Sequence, residues 1–157
     1  MARSRRAASV VEMVAGLLVV IPIVLVLIDF ILMNLAVQIN DSAAREADRI
    51  AASGDPNTAQ SRAQVVVNRI NQSMTGYVSN VTLVSVTFSP AGLLATEASL
   101  AGYGGVLQGY VTVITQVTVT PILISHISSG PFTFQASQTC PITYNVPNTA
   151  GGVIVPP

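Results

Sequence analysis

Residues 3–33 read RSRRAASVVEMVAGLLVVIPIVLVLIDFILM, a basic tip followed by a long apolar run with a carboxylate near each end. Arg3, Arg5 and Arg6 come first, Glu12 stands at the mouth of the run, and Met13 to Ile28 carries no charge before Asp29. The 24 residues from Val10 to Met33 make a helix of about 36 Å, enough to cross a hydrocarbon core of about 30 Å. Pro22 permits a kink, because it removes one backbone donor and crowds the preceding turn. Basic residues before the span and none just after it place the N-terminus in the cytoplasm and the rest of the chain outside. The membrane is therefore the first expected partner, with Met13, Pro22, Asp29 and Met33 marking the span. A cleaved secretory signal has an apolar region of about 7–15 residues ending at a small-x-small site. Here the run is longer, and the nearest such site, Ser42-Ala43-Ala44, lies well beyond it.

Charge at membrane depth is disfavoured by a few kcal/mol, so both carboxylates need an explanation. Glu12 reads as an interfacial side chain reaching the headgroups, or as one half of a compensated pair. Asp29 reads as an interfacial residue on the outer side, with a polar contact between helices as the alternative, since the sequence turns polar soon after it.

Composition agrees with a chain that meets lipid. Charged residues are 9% of the 157 and hydrophobic ones 50%, with a mean hydropathy of +0.60. A typical soluble domain is about 25% charged. Seven Arg, no Lys and seven acidic residues balance to zero, and no basic patch interleaves with aromatics, so no nucleic-acid partner is expected. The single cysteine, Cys140, excludes an intramolecular disulfide and a multi-cysteine metal site, and reads as a small, partly buried thiol.

The helical pattern continues past the span. Asp41, Arg45 and Arg49 recur at fourfold spacing on one face, which permits an Asp-to-Arg pair, while Ala43, Ala47, Ile50 and Ala51 form a small-residue face. Gly54 reads as the C-terminal cap of this helix, Asp55 as the next N-cap and Pro56 as a first-turn proline. A second helix follows over Pro56 to Met74, with a buried stripe of Ala59, Ala63, Val66, Val67, Ile70 and Met74; Gly76 ends it. Val78 to Phe88 reads as a strand ended by Ser89-Pro90. Ala91 to Gly109, rich in Gly, Ala and Leu, reads as a flexible loop. Tyr110 to Thr120 alternates Val111, Val113, Val117 and Val119 against Thr112, Thr115, Thr118 and Thr120, the clearest strand in the chain. Pro121 to Pro131 reads as a connection and Phe132 to Tyr144 as a third strand. Consecutive strands usually pair. The expected fold is thus α+β: a long transmembrane and stalk helix, an amphipathic helix, and a small antiparallel sheet of about three strands. The expected organisation is a basic leader (1–7), a transmembrane and stalk helix (8–53), an extracytoplasmic domain (54–144) and a flexible tail (145–157).

Catalytic groups that could meet are missing from the sequence. His126 is the only histidine, too few for a hydrolytic zinc site, and beyond Asp55 only Glu97 could serve a Ser-His-acid arrangement. The Gly-rich stretch is followed by strand-like sequence, which is the wrong context for a dinucleotide loop. Asn71-Gln72-Ser73 and Asn80-Val81-Thr82 match the glycosylation triplet, a short motif that recurs by chance. No enzyme activity, cofactor, metal or small-molecule substrate is expected.

One resemblance draws these features together. The basic leader, Glu12 just before the apolar run, Asp29-Phe30 late in it, and Asn40-Asp41-Ser42-Ala43-Ala44-Arg45-Glu46-Ala47 resemble the TadE-like family. These are pseudopilins (minor pilins) of bacterial tight-adherence, or Flp, pilus systems, within the type IV pilin superfamily. The strand Val111 to Pro121 and the strand Phe132 to Tyr144 are similar to that family's C-terminal pattern, so the resemblance covers roughly Arg5 to Tyr144. It implies a pilin-like fold in the bacterial inner membrane, pilin and pseudopilin subunits and tight-adherence machinery as partners, and cleavage by a prepilin peptidase. Glu12 at the fifth mature position makes Ala7-Ala8 the scissile bond. Ala7 stands where the family prefers glycine, and Ala8 where many pilins carry Phe. Cleavage would expose an α-amino group that a neighbouring subunit's Glu12 could pair with, offsetting part of the desolvation of both. A second expectation is a membrane-tethered extracytoplasmic binding or adhesion module without a pilus role, using the loop from Ala91 to Gly109.

Overall fold

The computed structural model describes residues 2–73, 80–124 and 130–148, with side chains from Val10 onward. The first helix, α1, runs unbroken over Ala2–Ala52 with Pro22 inside it. A single 3₁₀ turn, Pro56–Thr58, leads into α2, Ala59–Ser73. Strand β1 covers Thr82–Ser89, a short helix α3 covers Leu93–Leu100, and two long strands follow, β2 over Gly105–Val119 and β3 over Phe132–Val146. The sheet is antiparallel in the order β1-β2-β3. The α+β layout and the three-strand sheet expected from the sequence are therefore present.

α1 has two environments along its length. From Val10 to Val24 every side chain is exposed, whereas Ala36, Ala43, Ala44, Ala47 and Ala51 are fully buried. Of these, Ala36, Ala43, Ala47 and Ala51 let α1 lie close to the sheet, where they share a core with Val111, Val113, Val117 and Val119 of β2 and Ala59, Ala63, Val66 and Val67 of α2. The distal half of α1 is thus a layer of the α+β domain itself. Period-two geometry puts the odd positions of β2 on the covered face. Thr115 is one of them. The sequence set it with the outward threonines, but it is fully buried and donates to Asn40 Oδ1 at 2.9 Å, while Asn40 Nδ2 donates to the Phe134 carbonyl at 3.1 Å. On the opposite face Thr112 bonds Thr139 at 2.9 Å and Gln135 bonds Gln116 at 3.0 Å, beside exposed Val106 and Tyr110.

The end of α1 is closed differently from the expected glycine cap. Gly54 does not adopt a left-handed conformation. Instead the Arg62 guanidinium, reaching back from α2, donates to the carbonyls of Ile50 (3.1 Å), Ala51 (2.7 Å) and Asp55 (2.9 Å). A cation on the last carbonyls of a helix satisfies orphan acceptors and opposes the negative end of its dipole. A Cβ on residue 54 would stand 3.2 Å from Arg62 Nη1, so a small residue there makes room for the guanidinium. Asp55 caps the 3₁₀ turn by accepting from the Asn57 N–H at 2.7 Å.

Two further readings are corrected. The stretch expected to be a flexible loop contains α3, and β2 begins at Gly105, well before Tyr110. Glycines bracket this helix: Gly92 opens it and Gly104 follows it, both at positive φ. Leu93 joins Leu107, Ile142 and Val146 in a small second core, so α3 covers the end of the sheet that α1 and α2 leave bare. The third strand also runs past Tyr144, because Asn145 and Val146 pair with Val106 and Gly105. Met74, Gly76, Val78, His126 and 149–157 lie outside the described residues.

Candidate functional site

The residues singled out in the sequence lie along one edge of the molecule, strung on α1. Ala7 and Ala8 are in its first turns. Glu12 and Met13 are exposed on its surface, and Glu12 forms no ion pair with any described residue. Around them Val10, Val11, Val14, Leu17, Leu18, Val19 and Val20 are exposed as well. Pro22 is exposed, and the helix continues through it. Met33 is half-buried and packs against the main core, so it marks the level at which the sheet begins to cover α1. By length and composition α1 is long and apolar enough to cross a membrane.

Asp29 departs furthest from its reading. It is 0% exposed in the middle of an otherwise exposed apolar surface. Its carboxylate accepts three backbone N–H bonds from the turn after β2: Ile122 to Oδ1 at 2.6 Å, Leu123 to Oδ2 at 2.8 Å and Ile124 to Oδ2 at 3.0 Å. Its partner is this chain's own backbone, an option that neither the interfacial nor the interhelical reading contained. Charge-assisted bonds of this kind are among the stronger ones in proteins. They also satisfy three consecutive backbone donors. No sequence signal links positions 93 to 95 residues apart, so pattern reading could not have found the pair.

A second buried carboxylate lies higher on the same helix. Asp48 is almost fully buried, and neither of its oxygens has a hydrogen-bond partner of ordinary geometry among the described residues. It faces Cys140 on β3. Burial raises the Asp48 pKa, and the neighbouring thiol and backbone of Cys140 oppose that only in part. The Asp48 carboxyl in turn holds the thiol proton, and together with burial it pushes Cys140 up to about 11, against a smaller opposite effect of Arg49. A thiol so placed is a poor nucleophile at neutral pH. At the far end of the sheet Glu97 is also buried; burial first, and then the negative charge of Asp55, raise its pKa, while an Asn57 amide bond at 2.8 Å works the other way.

Among the described residues no group of three His, Cys, Asp or Glu side chains could hold a metal ion. Asn71, the first residue of a glycosylation triplet, is occupied structurally: its amide bonds both the N–H (2.9 Å) and the carbonyl (2.8 Å) of Val81. Compared with family models, with curated proteins and with solved structures, the chain matches none.

Proposed function

We propose that this chain is a non-catalytic, membrane-anchored assembly subunit, a TadE-like pseudopilin of a tight-adherence pilus. Its first half-helix sits in the inner membrane with the N-terminus cytoplasmic, and its α+β domain lies outside. One observation carries the reading: a single uninterrupted helix is bare and predominantly apolar from Val10 to Val24 and forms a layer of a one-sided sheet domain over its second half. Such a helix can associate with like helices through the bare half while the domain stays folded on the other. Glu12, exposed at the start of that half and unpaired with any described residue, is then available to the processed N-terminus of a neighbour. The alternative, a tethered binding module, rested on a flexible Gly-rich loop; that stretch instead holds a packed helix, and nothing else favours it.

Co-expression of the chain with a prepilin peptidase is expected to remove residues 1–7, read as intact mass. An unchanged mass would remove the processing step. Glu12→Ala is expected to leave membrane insertion intact and reduce pilus assembly. Normal piliation by that variant would count against the pairing mechanism.

A further inference from the structure

The segment that Asp29 holds opens the connection between β2 and β3 with an apolar turn. Pro121-Ile122-Leu123-Ile124 contains no polar side chain, and the polar residues of the same connection, Ser125, His126, Ser128 and Ser129, come only after it. Ile122 is 49% exposed, Leu123 and Ile124 are half-buried, and Pro121 is buried. On α1 Leu27, Ile28, Phe30 and Ile31 are exposed too, so at the level of Asp29 both the helix and the segment it holds carry exposed apolar side chains.

Depth places that surface. From Val10 to Asp29 a helix rises about 28 Å, close to the roughly 30 Å of a hydrocarbon core. If the run enters the bilayer at Val10, Asp29 stands at the far boundary, and the turn lies beside it. Irregular backbone is tolerated near hydrocarbon only where its polar groups are satisfied within the protein. The three N–H groups of this turn are satisfied, all by one carboxylate. The same bonds remove the difficulty of a bare carboxylate at that level. Each partner makes the other tolerable in lipid.

We propose that the Pro121–Ile124 turn, pinned by Asp29, is a second membrane contact that sets Ile122 into the interfacial region of the leaflet distal to the N-terminus. It rests on the reading of α1 as a membrane span. The partner is a lipid surface, and Asp29 is a positioning residue, since it acts by holding the turn.

The chain contains no tryptophan, so single-Trp variants of the full chain report location directly. Ile122→Trp, Leu18→Trp (at a 71% exposed position inside the span) and Tyr103→Trp (87% exposed, just before the distal end of β2) are reconstituted into phosphatidylcholine vesicles with or without brominated acyl chains. The Ile122→Trp emission is expected to be blue-shifted and to lose most of its intensity to lipids brominated near the headgroup. Leu18→Trp should be quenched by deeply placed bromines, and Tyr103→Trp by neither. Adding Asp29→Asn to Ile122→Trp should move its emission toward that of Tyr103→Trp. If Ile122→Trp behaves like Tyr103→Trp while Leu18→Trp is quenched, the anchor stands and the second contact is overturned. A blue-shifted but unquenched Ile122→Trp means that protein, such as a second copy, covers the turn, which also overturns it. An unquenched Leu18→Trp removes the anchor reading and the contact together.

Discussion

At Asp48 and Cys140 a carboxyl and a thiol share a buried strip between α1 and β3, and each makes the other harder to ionise. With its pKa near 11, Cys140 is expected to react with iodoacetamide at pH 8 much more slowly than a free thiol. Asp48→Asn, which removes the carboxyl that holds the thiol proton, should speed that reaction, as followed by intact mass. Gly109 illustrates a different constraint at this scale. A Cβ there would come within 2.5 Å of Leu93 Cδ1 and 2.7 Å of the Ser89 carbonyl oxygen. The leucine can shift, but the backbone oxygen cannot shift cheaply. Gly109→Ala is therefore expected to destabilise the domain by about 1–3 kcal/mol, the usual range for overpacking, as measured by denaturant unfolding of the full chain in detergent.

At the scale of elements, the α1 seam is defined by what its residues lack. Alanines at 36, 43, 47 and 51 bring the helix backbone against the valines of β2. Ala47→Leu should cost about 1–3 kcal/mol, whereas the same change at an exposed α2 position such as Gln64 should cost little. Arg62 closes both α1 and the following turn, so Arg62→Ala should cost about 2 kcal/mol, the worth of a charged group's hydrogen bonds. These elements also show what pattern reading can reach. The alanine seam, the α2 stripe and the alternation of β2 were legible because each is periodic within a few turns or residues. The Asp41–Arg45 pair, found at 2.6 Å, was legible for the same reason. The Arg62 cap, the Asn40–Thr115 bond and the Asp29 cradle were not, because they join residues that are adjacent only after the chain has folded back. Helix α3 was missed for another reason. Its bracketing glycines read as flexibility, whereas two of them supply the positive φ values at its ends, and its core partners, Leu107, Ile142 and Val146, lie on other strands.

At the scale of the whole molecule, Asp48 and Glu97 make the domain's stability depend on pH. Both have folded-state values raised above those of the unfolded chain, with burial as the first cause in each. Their contribution is fully present below the ordinary carboxylate range of about 4 and is lost as pH rises through the raised values. The melting temperature should therefore fall as pH rises above the ordinary carboxylate range, in the part of the curve these two groups control, and Glu97→Gln should flatten that slope. The fastenings between helix and sheet have a mechanical consequence. They occur at Asp29, at Asn40 and at Asp41, whose carboxylate accepts from the Gln138 amide on β3, along the length of α1 that the sheet accompanies. A joint made at one point would let the domain swivel; a joint made at several points along a common axis does not. Any twist applied to the helix by its neighbours is therefore delivered to the sheet, and a load pulling on the domain is shared by these bonds in shear instead of peeling them one at a time.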